Sequence, residues 1–288
     1  MGNDVDIIQQ VFDMSEVILA SEPKSVRINR TYINELAEQM KKDGKYVFEP
    51  QSYKTGIHND VLKELVACSI NYCYWYGAHD IRPNGVSSTS LYNDVNKAFT
   101  ISQDFNEKIY HLIMLLSTHR YPLLEERKRH LLELCENRKA EIFVDMVCNK
   151  SYTGERLFHE MIEMFQGFAS DNFLKRASLF FIQLNRKFGW WEDDLMTILH
   201  VPADYQVPKV LRHFGCINYS PDLSFEITKS RLIPKHSLDE LQIRAATVKV
   251  CTMLQYAIGW TIADVDTYLW GRRKLTDMPF HLTITTDY

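Results

Sequence analysis

The chain has 288 residues, of which 45% are hydrophobic and 24% are charged, a composition that gives a globular protein enough apolar residues for a sizeable core. Its formal net charge of −4 offers no basic excess of the kind that holds polyanionic nucleic acid, although a whole-chain sum leaves room for a local pocket that binds one phosphate. No stretch of about 18 consecutive apolar residues occurs, so we predict no membrane-spanning helix.

Cysteine usage and the start of the sequence bear on the compartment. The 6 cysteines are scattered and none belongs to a C-x-x-C pair, so we predict free thiols in a reducing compartment and no zinc site. The stretch MGNDVDIIQQ at the start is acidic and lacks the apolar region of a signal peptide. We therefore expect a cytoplasmic protein.

Taken in chain order, helical periodicity dominates the sequence. In TYINELAEQMKK, the apolar residues Ile33, Leu36 and Met40 fall on one stripe. In SLDEL, Ser237 stands three residues before Glu240, which is the spacing of a capping box at the start of a helix. The predicted helices lie at 31–42, 61–77, 92–120 (one short helix and one longer helix), 123–147, 154–168, 172–188 and 237–258.

Strand signals are few. SVRIN at 25–29 alternates briefly, and FHLTITTDY at 280–288 has the threonine-rich alternation of an edge strand. No linker rich in Pro, Gly or Ser, no internal repeat and no low-complexity tract divides the chain. We predict a mostly α fold in a single compact helical domain spanning residues 1–288, and this pattern also allows two lobes of helices around a groove.

The stretch HVPADYQVPKVLRHFG at 200–215 places an acidic residue, Asp204, in a proline-bounded turn. Pro208 is a favourable first residue of a helix, so Asp204 would lie near the positive end of a helix dipole and stay ionised despite partial burial. An ionised carboxylate beneath a sugar can stabilise an oxocarbenium-like transition state and orient the attacking water. The alternative is a turn or helix-capping aspartate, which the local sequence by itself favours.

Three further places combine polar with apolar residues. Lys175 lies in an apolar stretch, where a cation is paired, faces a pocket, or extends its stem to solvent at a helix boundary. Asp266 lies between apolar residues and would either contact a substrate or pair with Arg244 or Arg272. The cluster NYCYW suits a flat purine-like base, with an aromatic core stripe as the alternative, and its candidates are Asn71, Tyr72 and Trp75.

Four segments, in this order, resemble the queuosine salvage protein family, the queuosine 5'-phosphate N-glycosylases. They are NYCYW (71–75), FLKRASL (173–179), ADYQVPKVLRHFGCINYS (203–220) and the pair of DELQIRAATV (239–248) with DVDTYLWGRRK (264–274). YPLLEERKRHLLEL (121–134) also fits the middle region of the family. The resemblance therefore covers nearly the whole chain.

The resemblance implies an all-helical fold related to helix-hairpin-helix DNA glycosylases. It also implies hydrolysis of the N-glycosidic bond of queuosine 5'-phosphate, or of a close 7-deazaguanine nucleotide, with release of queuine for reuse in tRNA. Asp204 would be the catalytic carboxylate and Lys175 its partner in the pocket. The implied substrate-binding residues are Asp266, Asn71, Tyr72, Trp75, Tyr205 and Tyr268. No metal or cofactor is implied, since the sequence has neither a glycine-rich phosphate loop nor an acidic cluster for magnesium.

Three positions depart from the family pattern and leave the identity of the substrate open. Gln183 stands where the family has Asp, Gln206 replaces the usual Arg, and Lys209 replaces the usual Gln. Two other functions stay open. One is a DNA or RNA base glycosylase of the same fold, against which the acidic net charge argues. The other is a non-catalytic helical module that binds a nucleotide or a protein partner. Oligomeric state is left open.

Overall fold

The computed structural model describes residues 6–46, 56–149 and 152–288, and most of these residues are helical. The prediction of a mostly α fold is therefore confirmed. The helices are α1 Ile7–Ala20, α2 Arg30–Asp43, α3 Ile57–Ser69, α4 Ser88–Ile101, α5 Phe105–Thr118, α6 Leu124–Cys135, α7 Lys139–Cys148, α8 Gly154–Met164, α9 Gln166–Ala169, α10 Lys175–Phe188, α11 Leu195–Ile198, α12 Gln206–His213, α13 Pro221–Thr228, α14 Leu238–Ile258 and α15 Ile262–Gly271. The strands are β1 Val26–Ile28 and β2 Ile217–Tyr219, and short 3₁₀ helices lie at Ala78–Asp80, Glu136–Arg138 and Arg272–Lys274.

The described residues divide into two compact units. Unit 1 consists of residues 6–46 and 191–284, and unit 2 consists of residues 56–149, 152–190 and 285–288. The prediction of one domain over residues 1–288 stays a prediction. Within the described part of the chain, no helix is both long and apolar enough to cross a membrane.

Unit 1 is built around the long helix α14. Helices α1, α2, α12 and α15 and the strand β1 pack against it, so residues on most of its faces are buried. The strands β1 and β2 pair antiparallel, with Val26 opposite Tyr219 and Ile28 opposite Ile217. The Oε1 of Gln242 on α14 accepts a hydrogen bond of 2.8 Å from the Ser25 amide. A buried polar side chain thus anchors the chain just before β1.

Unit 2 is built around α3, against which α4, α6, α7 and α10 pack. Every residue of α3 from 64 to 69 is buried, and so is the chain that follows it up to residue 75. The last four residues also belong to this unit, and the Cys73 amide donates a hydrogen bond of 2.9 Å to the Tyr288 carbonyl. The core of unit 2 is therefore completed by residues far apart in the sequence.

Three buried cations bind the buried carboxyl end of α3 and the segment that follows it. Carbonyl groups at a helix end lack partners within the helix, and they carry the negative end of its dipole. Arg127 donates to the carbonyls of Ile70, Tyr72 and Cys73. Arg176 donates to the Ser69 carbonyl and the Nζ of Lys175 to that of Asn71, at 3.2 Å for the latter. Five successive carbonyls, from residue 69 to residue 73, therefore each accept a hydrogen bond from a positively charged side chain.

Several predicted boundaries are wrong, for local reasons. The helix predicted at 61–77 ends at Ser69, because the following carbonyls bind cations instead of amides of a continued helix. The helix predicted at 123–147 is two helices, separated at Asn137 and Arg138, which have positive φ angles of 48° and 59°. The helix predicted at 154–168 is divided into α8 and α9, and the helix predicted at 172–188 is α10, which begins three residues later. The short and the longer helix predicted at 92–120 are α4 and α5, which have equal length.

The strand predictions had opposite outcomes. The strand predicted at 25–29 is confirmed as β1. The edge strand predicted at 280–288 is wrong, because the only pairing in that stretch is an isolated bridge between Leu232 and Leu282. Polar residues of this stretch are buried together with Leu282, since His281, Thr283 and Thr285 all lie inside the protein. The strand β2 and the helices α1, α11, α13 and α15 were not predicted.

Replacement of the buried Arg127 by Met should lower the free energy of unfolding by at least about 3 kcal/mol. The substitution removes the arginine donor from the buried carbonyls of residues 72, 73 and 122, and one of two donors from the carbonyl of residue 70. Urea unfolding followed by circular dichroism measures the change. Arg129→Met is the matched control, because Arg129 is exposed on the same helix. This substitution should lower the free energy of unfolding by less than about 0.5 kcal/mol. Equal losses in both variants would contradict this role of Arg127.

Candidate active site

Asp204 lies in the loop before α12 and binds the amino end of that helix. Its Oδ1 accepts hydrogen bonds from the amides of Gln206, at 2.7 Å, and Val207, at 3.2 Å. The helix begins at Gln206, two residues before the predicted start at Pro208. Both hydrogen bonds use one oxygen, and no described residue forms a hydrogen bond with Oδ2. Asp204 thus caps a helix, as the alternative interpretation has it, and still has one carboxylate oxygen available.

The main chain directly before Asp204 is held by a buried arginine. Arg244, on α14, is fully buried, and its Nε donates a hydrogen bond of 3.0 Å to the carbonyl of Ala203. The carboxylate of Glu240, one turn earlier on α14 and equally buried, lies 3.7 Å from a terminal nitrogen of Arg244. The two opposite charges reduce the cost of burying each other.

One positive charge in unit 1, that of Arg273, interacts with Asp204. Burial lowers the pKa of Arg273, while the negative charge of Asp204 partly opposes that shift. Burial also lowers the pKa of Lys209, and repulsion from Arg273 lowers it further. The ring of Tyr205, next to Asp204, packs against Phe280 with 4.8 Å between ring centroids.

Asp266 and Tyr268 both lie on α15, which packs against α12 in unit 1. Asp266 is buried, and its negative charge adds to the effect of burial in raising the pKa of Cys251 well above its ordinary value. Of the two arginines named as alternative partners of Asp266, Arg272 does not pair with it. Arg272 instead binds the carboxylate of Asp43 at 2.7 Å, and Asp43 lies in the first of the two ranges that form unit 1.

The hydroxyl of Tyr268 is already hydrogen-bonded. It donates to Oδ2 of Asp43 at 2.6 Å, and the guanidinium group of Arg272 stacks on its ring with its central carbon 3.3 Å from the ring centroid. Burial raises the pKa of Tyr268, and the hydrogen bond to Asp43 raises it further. A role of Tyr268 in substrate binding stays a prediction, and in this structure its hydroxyl binds Asp43.

Lys175 is the first residue of α10 in unit 2 and is almost completely buried. Its amide donates a hydrogen bond of 2.8 Å to Oδ2 of Asp171, and its Nζ donates to the carbonyl of Asn71. The side chain therefore does not extend to solvent, as a lysine at a helix boundary often does. The structure brings two predicted site residues of unit 2, Lys175 and Asn71, into direct contact.

The side chain of Asn71 presents a hydrogen-bond donor. Its Oδ1 accepts a hydrogen bond of 2.6 Å from the hydroxyl of Tyr74, which orients the amide. No described residue accepts a hydrogen bond from its Nδ2. An amide held in this way can read an acceptor on a ligand.

The two aromatic candidates of the same segment, Tyr72 and Trp75, are fully buried. The ring of Tyr72 packs against the guanidinium groups of Arg127 and Arg176, whose central carbons lie 4.4 Å and 5.1 Å from its centroid. Burial raises the pKa of Tyr72 to about 12. This packing agrees with the alternative of an aromatic core stripe, and base binding by these two residues stays a prediction.

With this geometry in place, comparison with known proteins identifies the family. Residues 64–288 match the family model described as queuosine salvage protein. The chain belongs to this family.

Curated relatives carry one name. A queuosine 5'-phosphate N-glycosylase/hydrolase of Dictyostelium discoideum is 27% identical over 270 residues, which cover 78% of this chain and 77% of that protein. A protein of the same name from Sphaerobacter thermophilus is 30% identical over 190 residues, which cover 58% of each chain. Another from Mus musculus is 22% identical over 265 residues, which cover 75% of this chain and 78% of the relative. The relation to helix-hairpin-helix DNA glycosylases stays a prediction.

The structure shows where the three residues that depart from the pattern of the queuosine salvage family lie and what they contact. Gln183 accepts a hydrogen bond of 3.3 Å from Arg186. Gln206 is the first residue of α12, and its buried Oε1 has no hydrogen-bond partner among the described residues. Lys209 lies near Arg273, as described above. Two of the three therefore lie on α12, beside Asp204.

Three arginines hold the candidate segments in a way that the sequence did not indicate, and only Arg244 was named there, as a possible partner of Asp266. Arg176 directly follows Lys175, Arg127 lies in YPLLEERKRHLLEL, and Arg244 lies in DELQIRAATV. All three lie within segments that carry the family resemblance, and all three are fully buried and bind main-chain carbonyls. A charged residue at a position where its helix should be buried was the available signal.

A pocket in unit 2 was also missed. It has a cavity volume of about 140 Å³, and its lining residues are Asp60, Lys63, Glu64, Tyr92, Val95, Asn96 and Lys187. The buried carboxylate of Glu64 binds the Nζ of Lys187 at 2.5 Å and accepts a hydrogen bond of 2.6 Å from the Tyr92 hydroxyl. Glu64 lies in the apolar stretch VLKELVACS, where a carboxylate needs a cation as partner.

The buried His130, which contacts the Tyr72 hydroxyl at 3.2 Å, should make stability depend on pH. Burial, and then repulsion from Arg176, lower its pKa to about 3 from an ordinary value of 6.5. Because the folded pKa is depressed, the unfolded chain takes up a proton first. The stability contributed by neutral His130 is full above pH 6.5 and is lost progressively as the pH falls towards 3.

We therefore expect the free energy of unfolding to fall by about 2 kcal/mol less in His130→Gln than in the wild type when the pH falls from 7.5 to 5. Urea unfolding at both pH values measures this difference, and titration of the other groups cancels in the comparison. His213→Gln, a substitution of an exposed histidine, should follow the wild type. An unchanged pH dependence in His130→Gln would show that His130 does not titrate as described.

Proposed function

We propose that this protein is an N-glycosylase that hydrolyses the N-glycosidic bond of queuosine 5'-phosphate, or of a close 7-deazaguanine nucleotide, and releases queuine for salvage into tRNA. The observation that carries the proposal is the family match over residues 64–288, joined to relatives from a bacterium, an amoeba and a mammal that share one name. The substrate is a free nucleotide, and the net charge of −4 supports this choice over a nucleic acid. The compartment is the cytoplasm.

In the proposed reaction, Asp204 stabilises the positive charge that develops on the sugar as the bond to the base breaks. The amides of Gln206 and Val207 hold Oδ1 and stabilise the negative charge of the carboxylate. Oδ2 then faces the sugar or orients the attacking water. A 7-deazaguanine base has no N7 to protonate, so more of the barrier has to be lowered at the sugar.

The remaining candidates have supporting roles in the proposal. Lys175 provides positive charge for the substrate, and its burial in unit 2 supports a specialised role over that of a surface lysine. The Nδ2 of Asn71 donates to an acceptor of the base, because its Oδ1 is held by Tyr74. Asp266 accepts a hydrogen bond from the substrate. These roles come from the family resemblance and are proposals for this chain.

The decisive experiment measures release of queuine from queuosine 5'-phosphate by purified protein, separated by liquid chromatography. We expect the wild type to release the base and Asp204→Asn to be at least about 100-fold slower. The asparagine keeps the size of the side chain and an oxygen that can accept the two amide hydrogen bonds, so the helix cap is preserved while the charge is lost.

Asp104→Asn is the matched control. Asp104 caps α5 through a hydrogen bond of 2.9 Å from the Glu107 amide, so the same substitution is made at another helix-capping aspartate. Its activity should equal that of the wild type. Full activity in Asp204→Asn would rule out Asp204 as the catalytic carboxylate. Tight nucleotide binding by the wild type without any base release would instead favour a non-catalytic binding module.

A further inference from the structure

We propose that Arg244 is a positioning residue that orients Asp204 for the reaction through the carbonyl of Ala203. Its catalytic consequence rests on the proposed function, whereas its effect on the conformation of the Asp204 loop does not. Arg244 touches no reacting group in this proposal, because it acts only through the main chain.

The contact lies at the one peptide group that determines how Asp204 enters its turn. The Ala203 carbonyl belongs to the planar peptide that joins Ala203 to Asp204. The hydrogen bond of 3.0 Å from the Nε of Arg244 therefore fixes the plane from which the Cα of Asp204 projects. Ala203 itself is fully buried, so no water can replace this donor without opening the packing.

The side chain of Asp204 is held at its other end by α12. Its Oδ1 accepts from the amides of residues 206 and 207, so both the main chain before Asp204 and one carboxylate oxygen are fixed. With those two anchors, the direction of the remaining oxygen, Oδ2, is determined as well. A catalytic carboxylate requires such an orientation, because a displacement of about 1 Å can cost about 100-fold in rate.

Arginine suits this position, and lysine does not replace it. The Nε–H of a guanidinium group has a fixed direction within a rigid plane, whereas a lysine ammonium is a point charge on a flexible stem. Glu240 lies on the same face of α14, one turn earlier, with Oε1 3.7 Å from Arg244. Its Oε2 accepts a hydrogen bond of 3.2 Å from the His236 amide. The glutamate is thus itself anchored and stabilises the buried cation.

The test is a double-mutant cycle on kcat for base release with Arg244→Lys and Asp204→Asn. We expect Arg244→Lys to lower kcat by about 10- to 100-fold in the wild-type background, with KM changed less than about threefold. In the Asp204→Asn background it should lower kcat by less than about threefold, because no catalytic carboxylate is left to position. Equal reductions in both backgrounds, or no reduction in a folded Arg244→Lys variant, would overturn the proposal.

A second readout is independent of activity. Hydrogen exchange followed by mass spectrometry reports on the amides of residues 206 and 207, which the Asp204 cap protects. In Arg244→Lys we expect these amides to exchange at least about tenfold faster, while α13, in the same unit, keeps its protection. Unchanged protection at 206 and 207 overturns the proposal, even if the wild type releases no base. Inactive wild-type protein with faster exchange in the variant would refute the proposed function alone.

Two further variants control the experiment. Arg231→Lys makes the same change in an exposed arginine that pairs with Glu226 at 2.8 Å, and it should leave kcat and exchange unchanged. If Arg244→Lys does not fold, Glu240→Gln enters the same cycle in its place, because it removes the charge that stabilises Arg244 while it keeps the size of the side chain. Glu240→Gln should likewise lower kcat in the wild-type background and much less in the Asp204→Asn background. Equal reductions of kcat in the two backgrounds would overturn the proposal.

Discussion

Unit 2 depends on the binding of main-chain carbonyls by buried cations. Helix α3 ends inside the protein, where its last carbonyls cannot reach water and where each unpaired acceptor would cost about 1 to 3 kcal/mol. Arg127, Arg176 and Lys175 donate to the Ser69 carbonyl, at the end of α3, and to the carbonyls of residues 70 to 73 in the buried segment that follows. The buried cations gain hydrogen-bond partners, and the negative end of the helix gains positive charge. Each therefore stabilises the other in the core.

The same arrangement recurs in unit 1, at the segment that carries Asp204. There a single buried arginine, Arg244, binds the Ala203 carbonyl, and the amino end of α12 binds the carboxylate. In both units, irregular main chain that carries candidate residues is therefore held by guanidinium groups projecting from helices. Such segments can keep a conformation that neither a helix nor a strand would give, without the mobility of an exposed loop.

Local patterns in the sequence were sufficient for the features that depend on neighbouring residues. The stripe of Ile33, Leu36 and Met40 identified α2, and the spacing of Ser237 and Glu240 located the start of α14, where Ser237 does cap the helix. The end of α3 could not be predicted in this way. It depends on Arg127, which is 57 positions away from the carbonyl of Ile70 that it binds, and no local pattern records such a contact.

The candidate site shows the same limit. Family segments placed Asp204, Lys175 and Asn71 among the candidates, and the contact between the last two followed only from the fold. Arg272 was one of two arginines named as alternative partners of Asp266, yet it binds Asp43, which lies 229 positions earlier in the chain. Charges in an apolar stretch indicate that a partner exists, and only the three-dimensional structure says which residue it is.

The return of residues 285–288 to unit 2 has a consequence for biosynthesis. The Cys73 amide binds the Tyr288 carbonyl, so the core of unit 2 stays incomplete while residues 191–284 of the other unit are being translated. At the usual rate of about 5–20 residues per second, this interval lasts several seconds. During that time the nascent unit 2 lacks the contacts that residues 285–288 later make, and it can bind chaperones on the ribosome.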